Sequence, residues 1–331
     1  MTRLEQRLSA QRQTRTKRSV IIVAGLLFFT LVTAASYFLF SSGLDKTKRT
    51  GNFISAQDKV NILVMGVDER SDDVGRSDTM FVVTVDTKTK SVALLSIPRD
   101  TRVKIPGHGW EKINHAYAYG GHKLTQQTVE ELLGIPIDHY VLINFKGFQK
   151  IVDAIGGVDI DVEKRMYYED PYDGPNGFVI DLRPGVQHMD GRTAIQYVRY
   201  RDEEGDIGRI QRQQKFIKAL FKEVASPAII TKVPAIIREV SSTISTDMST
   251  TEMINLAQIL NDAYKQGLKT DMVPGKPAYI DDVSYWLPDL MALRQHIAQT
   301  LGVAMDEKYL NATRRDAGEY ETSIPQRDED C

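Results

Sequence analysis

The chain begins polar and basic, and then residues 20–40 form an unbroken apolar run without a single charge. Such a run, at about 20 residues, has the length an α-helix needs to cross the hydrocarbon core of a bilayer. A buried core helix rarely stays uncharged on every face for so long. Residues 41–57 turn polar, rich in Lys, Ser, Thr and Gly, and read as a linker. Short apolar strands follow at 60–65, 80–85 and 91–97. The last two are joined by Thr87-Lys88-Thr89-Lys90, close enough for a hairpin. Because these runs are apolar on both faces, they imply a sheet covered on both sides.

Helical periods then alternate with strands. Residues 124–133 read as helix, 140–143 as strand, and 145–155 as helix stopped by Gly156-Gly157. Residues 158–162 alternate as a half-buried strand. Residues 165–185, rich in Tyr, Asp, Pro and Gly, read as an excursion. Helices are expected at about 207–224, 249–265 and 287–301, with a strand at 270–273. This order predicts one α/β domain over 58–305, with helices on both faces of a mixed sheet. There is no internal repeat, and 306–331 reads as a polar, flexible tail.

Charge gives the chain an address. Residues 1–19 carry Arg3, Arg7, Arg12, Arg15, Lys17 and Arg18 against the single acid Glu5. The far flank, residues 45–49, is less basic. The positive-inside rule therefore puts a cytoplasmic tail at 1–19, a signal-anchor helix at 20–40 and the remainder outside the cell. A cleaved signal peptide is the rival reading. The apolar run is long for one, and Tyr37-Phe38-Leu39-Phe40 follows the small residues Thr33-Ala34-Ala35-Ser36 before any polar linker. Formal net charge is −2, so a basic pocket would be a local field in a near-neutral body. The one cysteine, Cys331, allows neither an internal disulfide nor a cysteine metal site.

Arginines and aspartates gather in segments between the apolar runs: Gly66-Val67-Asp68-Glu69-Arg70, Gly75-Arg76-Ser77-Asp78 and Ile97-Pro98-Arg99-Asp100-Thr101-Arg102. Two more, Tyr197-Val198-Arg199-Tyr200-Arg201 and Asp206-Ile207-Gly208-Arg209-Ile210-Gln211-Arg212-Gln213, come much later. Asp68 follows the first strand and Asp78 precedes the second, so neighbouring strands would put both carboxylates at one sheet edge. A hard cation such as Mg²⁺ takes such oxygen ligands, although Asp taken singly is an ordinary turn former. Arg199 and Arg201, two apart in an extended segment, face the same way and can grip one anion. The bland alternative is an exposed basic edge. At about 100° per residue, Arg209, Gln213, Phe216, Leu220 and Val224 share a helical stripe whose apolar end must face the core. Arg209 and Gln213 therefore point inward, and an inward arginine needs a partner. Arg212 lies off that stripe. The set fits a ligand carrying several phosphate charges.

In order, the chain shows G-x-D, R-x-D, S-I-P-R-D, then Lys112-Ile113-Asn114-His115-Ala116-Tyr117-Ala118-Tyr119-Gly120-Gly121. After these come D-G-x-x-A-x-x-Y-x-R-x-R from Asp190 and G-D-x-G-R-x-x-R-Q from Gly205. This pattern, over about residues 60–225, resembles the LytR-CpsA-Psr family of cell-envelope proteins. Met189, Ile195 and Gln196 depart mildly from it, at uncharged positions. The resemblance implies a three-layer α/β/α domain outside the membrane. Its donor would be a polyprenyl-pyrophosphate-linked anionic glycopolymer, of teichoic acid or capsule type. The polymer would pass to peptidoglycan with formation of a phosphodiester and release of polyprenyl phosphate. Carried over by motif, Asp68 and Asp78 resemble the Mg²⁺-associated acids, and Arg76, Arg99, Arg199, Arg201, Arg209 and Gln213 the pyrophosphate-binding set. Arg102 is a weaker member. Asp68, Asp78 and Arg99 would carry the catalysis.

Two other function classes compete. A non-catalytic sensor or scaffold would use the same arginines, but extra carboxylates serve a pure anion binder only if a cation is present. A transcriptional regulator would need a cytoplasmic DNA reader, and the basic tail is too short to fold as one. We therefore expect no nucleic-acid partner. His115 and His122 lack metal-ligand spacing and read as structural, Trp110 and Trp286 as packing residues, and Asn311-Ala312-Thr313 as a chance sequon.

Overall fold

The computed structural model describes residues 53–56, 58–67, 77–171, 177–203, 205–226, 229, 231–263 and 267–325. The expected membrane span at 20–40 lies outside these. Among the described residues no helix is long and apolar enough to cross a membrane.

In chain order the strands are β1 (Lys59–Val67), β2 (Ser77–Asp86), β3 (Ser91–Ser96), β4 (Arg102–Ile105) and β5 (Gly109–Lys112). Helix α1 (His115–Leu133), β6 (His139–Asn144) and α2 (Phe145–Ile155) follow. Two ribbons come next, from β7 (Val158–Val162), β8 (Met166–Asp170), β9 (Phe178–Leu182) and β10 (Gly185–Met189). Then run α3 (Gly191–Arg199), α4 (Gly205–Val224), α5 (Val233–Val240), β11 (Ile244–Thr246) and α6 (Thr250–Ala263). The chain finishes with β12 (Leu268–Met272), β13 (Gly275–Ile280), β14 (Val283–Pro288), α7 (Leu290–Leu301) and α8 (Glu307–Thr322).

The central sheet is mixed, in the order β11-β6-β1-β2-β3-β12. β1 runs antiparallel to β2 and parallel to β6. The β2–β3 hairpin forms as expected, with Val85 opposite Val92. Asp86 closes its turn, its Oδ1 accepting from the backbone N–H of Lys88 at 2.9 Å and of Thr89 at 2.8 Å.

Period-two alternation sends side chains to two cores. Leu63, Met65, Val67, Met80, Val82 and Leu95 pack with Val129 and Leu133 of α1 and Leu293 and Ile297 of α7. From the opposite face Val85 and Val92 meet Phe221 of α4 and Ala263 of α6. A third cluster joins α2, α3 and the ribbons to Phe216 of α4. There α2 and α3 approach closely: a Cβ on Gly191 would lie 2.3 Å from the Gln149 carbonyl oxygen.

Three expectations change. Within the excursion at 165–185, Met166–Asp170 pairs with Phe178–Leu182 as the ribbon β8–β9, whose Met166, Ile180 and Leu182 are buried. The helix expected from 287 starts at Leu290, after strand β14. Most clearly, the described part of the expected tail, 306–325, is mainly helix; residues 326–331 lie outside the described residues. Asp306 caps α8 by accepting from the Tyr309 N–H at 2.7 Å, and Tyr309, Ala312, Thr313 and Tyr320 are buried. Four inward residues among many charges make too weak a stripe to stand out from the sequence.

Candidate functional site

The antiparallel pairing of β1 with β2 sets Val67 opposite Ser77, so the end of one strand and the start of the next share an edge of the sheet. Asp78 sits there, one residue into β2. Asp68 and Arg76, predicted for the same edge, lie outside the described residues, as does Arg70. The end of β3 delivers Arg99 to the same place: its Nη1 donates to Asp78 Oδ1 at 2.7 Å. Helix α4 is stitched to this edge by its first turns. Arg209 Nη2 donates to the Asp78 carbonyl oxygen at 3.2 Å, and Gln213 Nε2 to Thr79 Oγ1 at 3.1 Å and to the Val198 carbonyl at 3.3 Å. The inward phase predicted for Arg209 and Gln213 holds: Arg209 is 4% exposed and Gln213 half-buried.

Arg199 and Arg201 arrive differently from expectation. They are not a same-facing pair on a strand. Arg199 is the last residue of α3, and Arg201 follows in the connection to α4. The Tyr-x-Arg spacing suits a helix end as well as a strand, and the capping Asp190, whose Oδ1 accepts from the Thr193 N–H at 2.7 Å, decides for helix. Both arginines nevertheless reach one cavity. Arg199 lies between two rings, 4.7 Å from the centroid of Phe145 and 4.1 Å from that of Phe178.

That cavity, of about 260 Å³, is lined by Asp78, Thr79, Arg199, Arg201, Arg209 and Gln213, and by Phe145, Tyr168, Asp170, Phe178, Ile180 and Val198. Arg99 lies beside it, against a smaller space that Asp78, Thr79 and Gln213 also border. Its lining combines polar and cationic side chains with aromatic and aliphatic ones. The aromatic part of this lining is not legible in the sequence, since Phe145 opens a helix and Tyr168 and Phe178 lie in the segment that reads as an excursion.

Asp206, on the first turn of α4, was also missed as a site residue, although its motif was singled out. Its Oδ1 lies 2.7 Å from Arg209 Nη2 and 3.5 Å from Arg99 Nε. Distance alone does not make these hydrogen bonds. Both Asp206 oxygens, with Arg99 Nε and Arg209 Nε, are shielded from solvent and lack an aligned hydrogen-bond partner among the described residues. Unmatched buried polar atoms are uncommon, and here guanidinium and carboxylate atoms collect at a single cavity edge. Donors of this kind suit phosphate oxygens, and oxygen-only acids suit a hard cation. Asp78 and Asp206 offer oxygen atoms of the kind Mg²⁺ takes, but each already faces an arginine, and no group of three or more metal-type side chains occurs among the described residues.

The electrostatics are those of crowded cations. Desolvation pushes Arg209 down to about 10, reinforced by the charges of Arg201 and Arg99 and opposed by Asp206 and Asp78. Arg201 is shifted down as well, by desolvation and then by Arg99. Burial also works against the charge of Arg99, but the bond to Asp78 and the fields of Asp206, Asp78 and Asp100 outweigh it and raise its pKa. The edge thus holds cations that an added polyanion would relieve.

Two arginines serve elsewhere. Arg102, read as a weaker member of the set, turns away: it donates to Ser323 Oγ at 2.7 Å and to the Ser323 carbonyl at 2.8 Å, beside Trp110 and Tyr320. Arg212, off the predicted stripe, is buried too. It donates to Asp202 Oδ2 and to the Tyr200 carbonyl, each at 3.1 Å, and so braces the segment carrying Arg201. His115 pairs with Glu111 at 2.9 Å, His122 stacks on Tyr140, and Trp286 Nε1 donates to the Val273 carbonyl at 3.0 Å.

The sequence model of the LytR_cpsA_psr family matches residues 34–300. The chain belongs to the LytR-CpsA-Psr family. This family member is 39% identical over 251 residues to the polyisoprenyl-teichoic acid–peptidoglycan teichoic acid transferase TagU of Halalkalibacterium halodurans, covering 75% of this chain and 79% of that protein. It is also similar to the crystal structure of Bacillus subtilis TagV, with a TM-score of 0.65 and 33% identity over 76% of this chain and 100% of the other. A structure of TagT bound to LIIa-WTA gives a TM-score of 0.62 and 30% identity, covering 78% and 96%. The family assignment read from the motifs is therefore correct, and the mixed α/β fold is the family's own.

Proposed function

We propose that this LytR-CpsA-Psr protein transfers an anionic glycopolymer, of teichoic acid or capsule type, from a polyprenyl-pyrophosphate carrier to peptidoglycan. The convergence of Arg99, Arg199, Arg201, Arg209 and Gln213 on one edge, where the buried Nε–H groups of Arg99 and Arg209 lack aligned partners among the described residues, carries this reading. The names of the relatives agree with it.

In the reaction an acceptor hydroxyl oxygen attacks the phosphorus attached to the glycan. The new P–O bond makes the phosphodiester, the bond to the bridging oxygen breaks, and polyprenyl phosphate departs with the electron pair. The hydroxyl proton passes to one of the carboxylates of this edge. Arg99, Arg199, Arg201 and Arg209 stabilise charge on the non-bridging oxygens, and Gln213 supports the polar lining. Asp68 and Asp78 would hold Mg²⁺, which when bound would supply neutralisation of phosphate charge. The complete architecture proposed is a cytoplasmic tail, one signal-anchor helix and a three-layer α/β/α domain outside the membrane.

The test uses the full chain in detergent, a lipid-pyrophosphate-linked glycan, Mg²⁺ and soluble peptidoglycan fragments. Glycan joined to peptidoglycan through phosphate, with polyprenyl phosphate released, is the expected result. Donor binding without any transfer would leave the non-catalytic sensor in its place. Chelation should stop transfer and added Mg²⁺ restore it. Topology is checked by a reporter fused after residue 331 that works only in the cytoplasm, where activity would overturn the exported orientation.

A further inference from the structure

The donor cavity leaves open where the acceptor rests while its hydroxyl reaches the phosphorus. Beside Arg99, and outside the lining of that cavity, lies a second constellation. Asp100 follows Arg99, its Oδ2 3.8 Å from Arg99 Nε and its Oδ1 2.9 Å from Lys112 Nζ. The Lys112 ammonium stands 5.6 Å over the ring of Tyr285. The backbone makes the same link, because the Asn114 N–H donates to the Arg99 carbonyl at 3.2 Å and α1 starts at the next residue.

On that first stretch of α1, His115 Nδ1 is paired with Glu111 Oε2. The His115 ring meets Tyr119 edge-on at 6.1 Å. Tyr119 in turn stacks flat on His108, with centroids 4.1 Å apart and planes within 7°. Tyr119 is 46% exposed for so large a ring, and His108 is exposed as well. Directly after Tyr119 the helix breaks, as Gly121 takes φ 61°, ψ −156°. The break isolates the turn that carries His115 and Tyr119 from the rest of α1 and lays it against the β4–β5 hairpin.

This surface differs in kind from the cavity. Its polar groups are paired locally, Glu111 with the His115 ring and Asp100 with Lys112, and it has no cluster of arginines, so it is not a second polyanion site. It offers flat rings with hydrogen-bonding acid, imidazole and ammonium groups at their edges. A sugar presents the complementary pattern, an apolar C–H face bounded by hydroxyl and amide groups. We infer that the platform of His108, Tyr119, His115 and Glu111, continued through Lys112 to Arg99, binds the acceptor glycan strand. The ligand class is an uncharged N-acetylhexosamine chain, held so that one of its hydroxyls lies at the Arg99–Asp78 edge. The inference rests on the transferase reading and adds the acceptor's place to it.

The experiment uses the full chain in detergent with saturating lipid-linked donor and a defined, uncrosslinked peptidoglycan tetrasaccharide as varied acceptor. Tyr119→Ala is expected to raise the acceptor KM about tenfold, leaving the donor KM and the melting temperature in place. Tyr119→Phe, which keeps the flat ring, should restore the acceptor KM, and His108→Ala should raise it in the same direction. An unchanged acceptor KM in Tyr119→Ala and His108→Ala overturns the inference. So does a loss shared equally by donor KM, acceptor KM and thermal stability, the signature of a merely structural stack. If Tyr119→Ala fails to fold, Glu111→Gln and His108→Ala decide by the same acceptor KM. Failure of the unsubstituted chain to transfer at all would strike the transferase reading itself. Transfer with an indifferent platform strikes only the acceptor assignment.

Discussion

At the scale of single residues the site combines opposite charges with few aligned hydrogen bonds. Replacing Arg99 by Ala or Asp78 by Asn should lower the transfer rate by roughly a hundred- to a thousandfold while the domain still folds, the size of effect seen when one charge-stabilising donor is lost. Circular dichroism beside the transfer assay separates the two outcomes, and full activity in both variants would refute their roles. Arg209 is different, because its side chain is 5% exposed and lies against Asp206. Arg209→Met leaves that carboxylate with only the more distant Arg99, 3.5 Å away, which should cost about 1–3 kcal/mol of stability. Arg209→Met with Asp206→Asn should recover part of the loss in urea unfolding. Helical phase was enough to read the inward direction of Arg209 and Gln213 from the sequence, since both share a stripe with Phe216. It could not reveal Asp206 as a site residue, whose position depends on where β3 leaves Arg99 rather than on its own neighbours.

Among elements, the starts and ends of helices place the chemistry. Helix α3 begins at the Asp190 cap and ends with Arg199 at the cavity, so its register decides where that guanidinium sits. Its first residue, Gly191, touches the Gln149 carbonyl, and a methyl group there would collide with backbone. Gly191→Ala should therefore destabilise by about 1–3 kcal/mol and weaken donor binding, checked by thermal unfolding and donor KM together. An unshifted melting temperature would show that α2 and α3 separate at little cost. The strong periods at β1, β2, β3, α2 and α4 were legible because each element buries a full face. Ribbons such as β8–β9 and β13–β14 were not, because short two-stranded pieces bury only alternate residues and take their stability from what they pack on. The same limit misread Arg199 and Arg201, whose spacing suits a strand and a helix end alike.

For the whole molecule, the final helix belongs to the folded body. Tyr309 donates to the Leu133 carbonyl at 3.4 Å, and Arg294 donates to Asp316 at 2.8 Å and to the Glu131 carbonyl at 2.9 Å. Ending the chain at residue 305 would delete the buried rings of Tyr309 and Tyr320 and remove a partner from Arg102 and another from Arg294. A loss of at least about 3 kcal/mol is expected from the two rings alone, read as a lower melting temperature; an unchanged one would return the segment to the status of a tail. Acid should act through Asp86, which is paired with Lys59 and bonded to its own turn. Burial raises its pKa, but those bonds together overcome it and hold the carboxyl well below the ordinary range. A depressed carboxyl adds stability above about pH 4, where the unfolded chain titrates, and loses it as pH falls through the folded value. Asp86→Asn should therefore show a shallower stability loss on acidification than the unsubstituted chain, and parallel slopes would exclude the effect. The sheet order also governs how the chain comes to be folded. Strand β3 finds its outer neighbour only when Leu268 pairs with Val92. A chain delivered from its N-terminus would hold that edge open until nearly all of it had emerged. Long-range parallel closure of this kind is slow and exposes an unpaired edge to other chains. For this protein the vulnerable interval is thus the wait for β12, when assistance at the point of emergence would matter most.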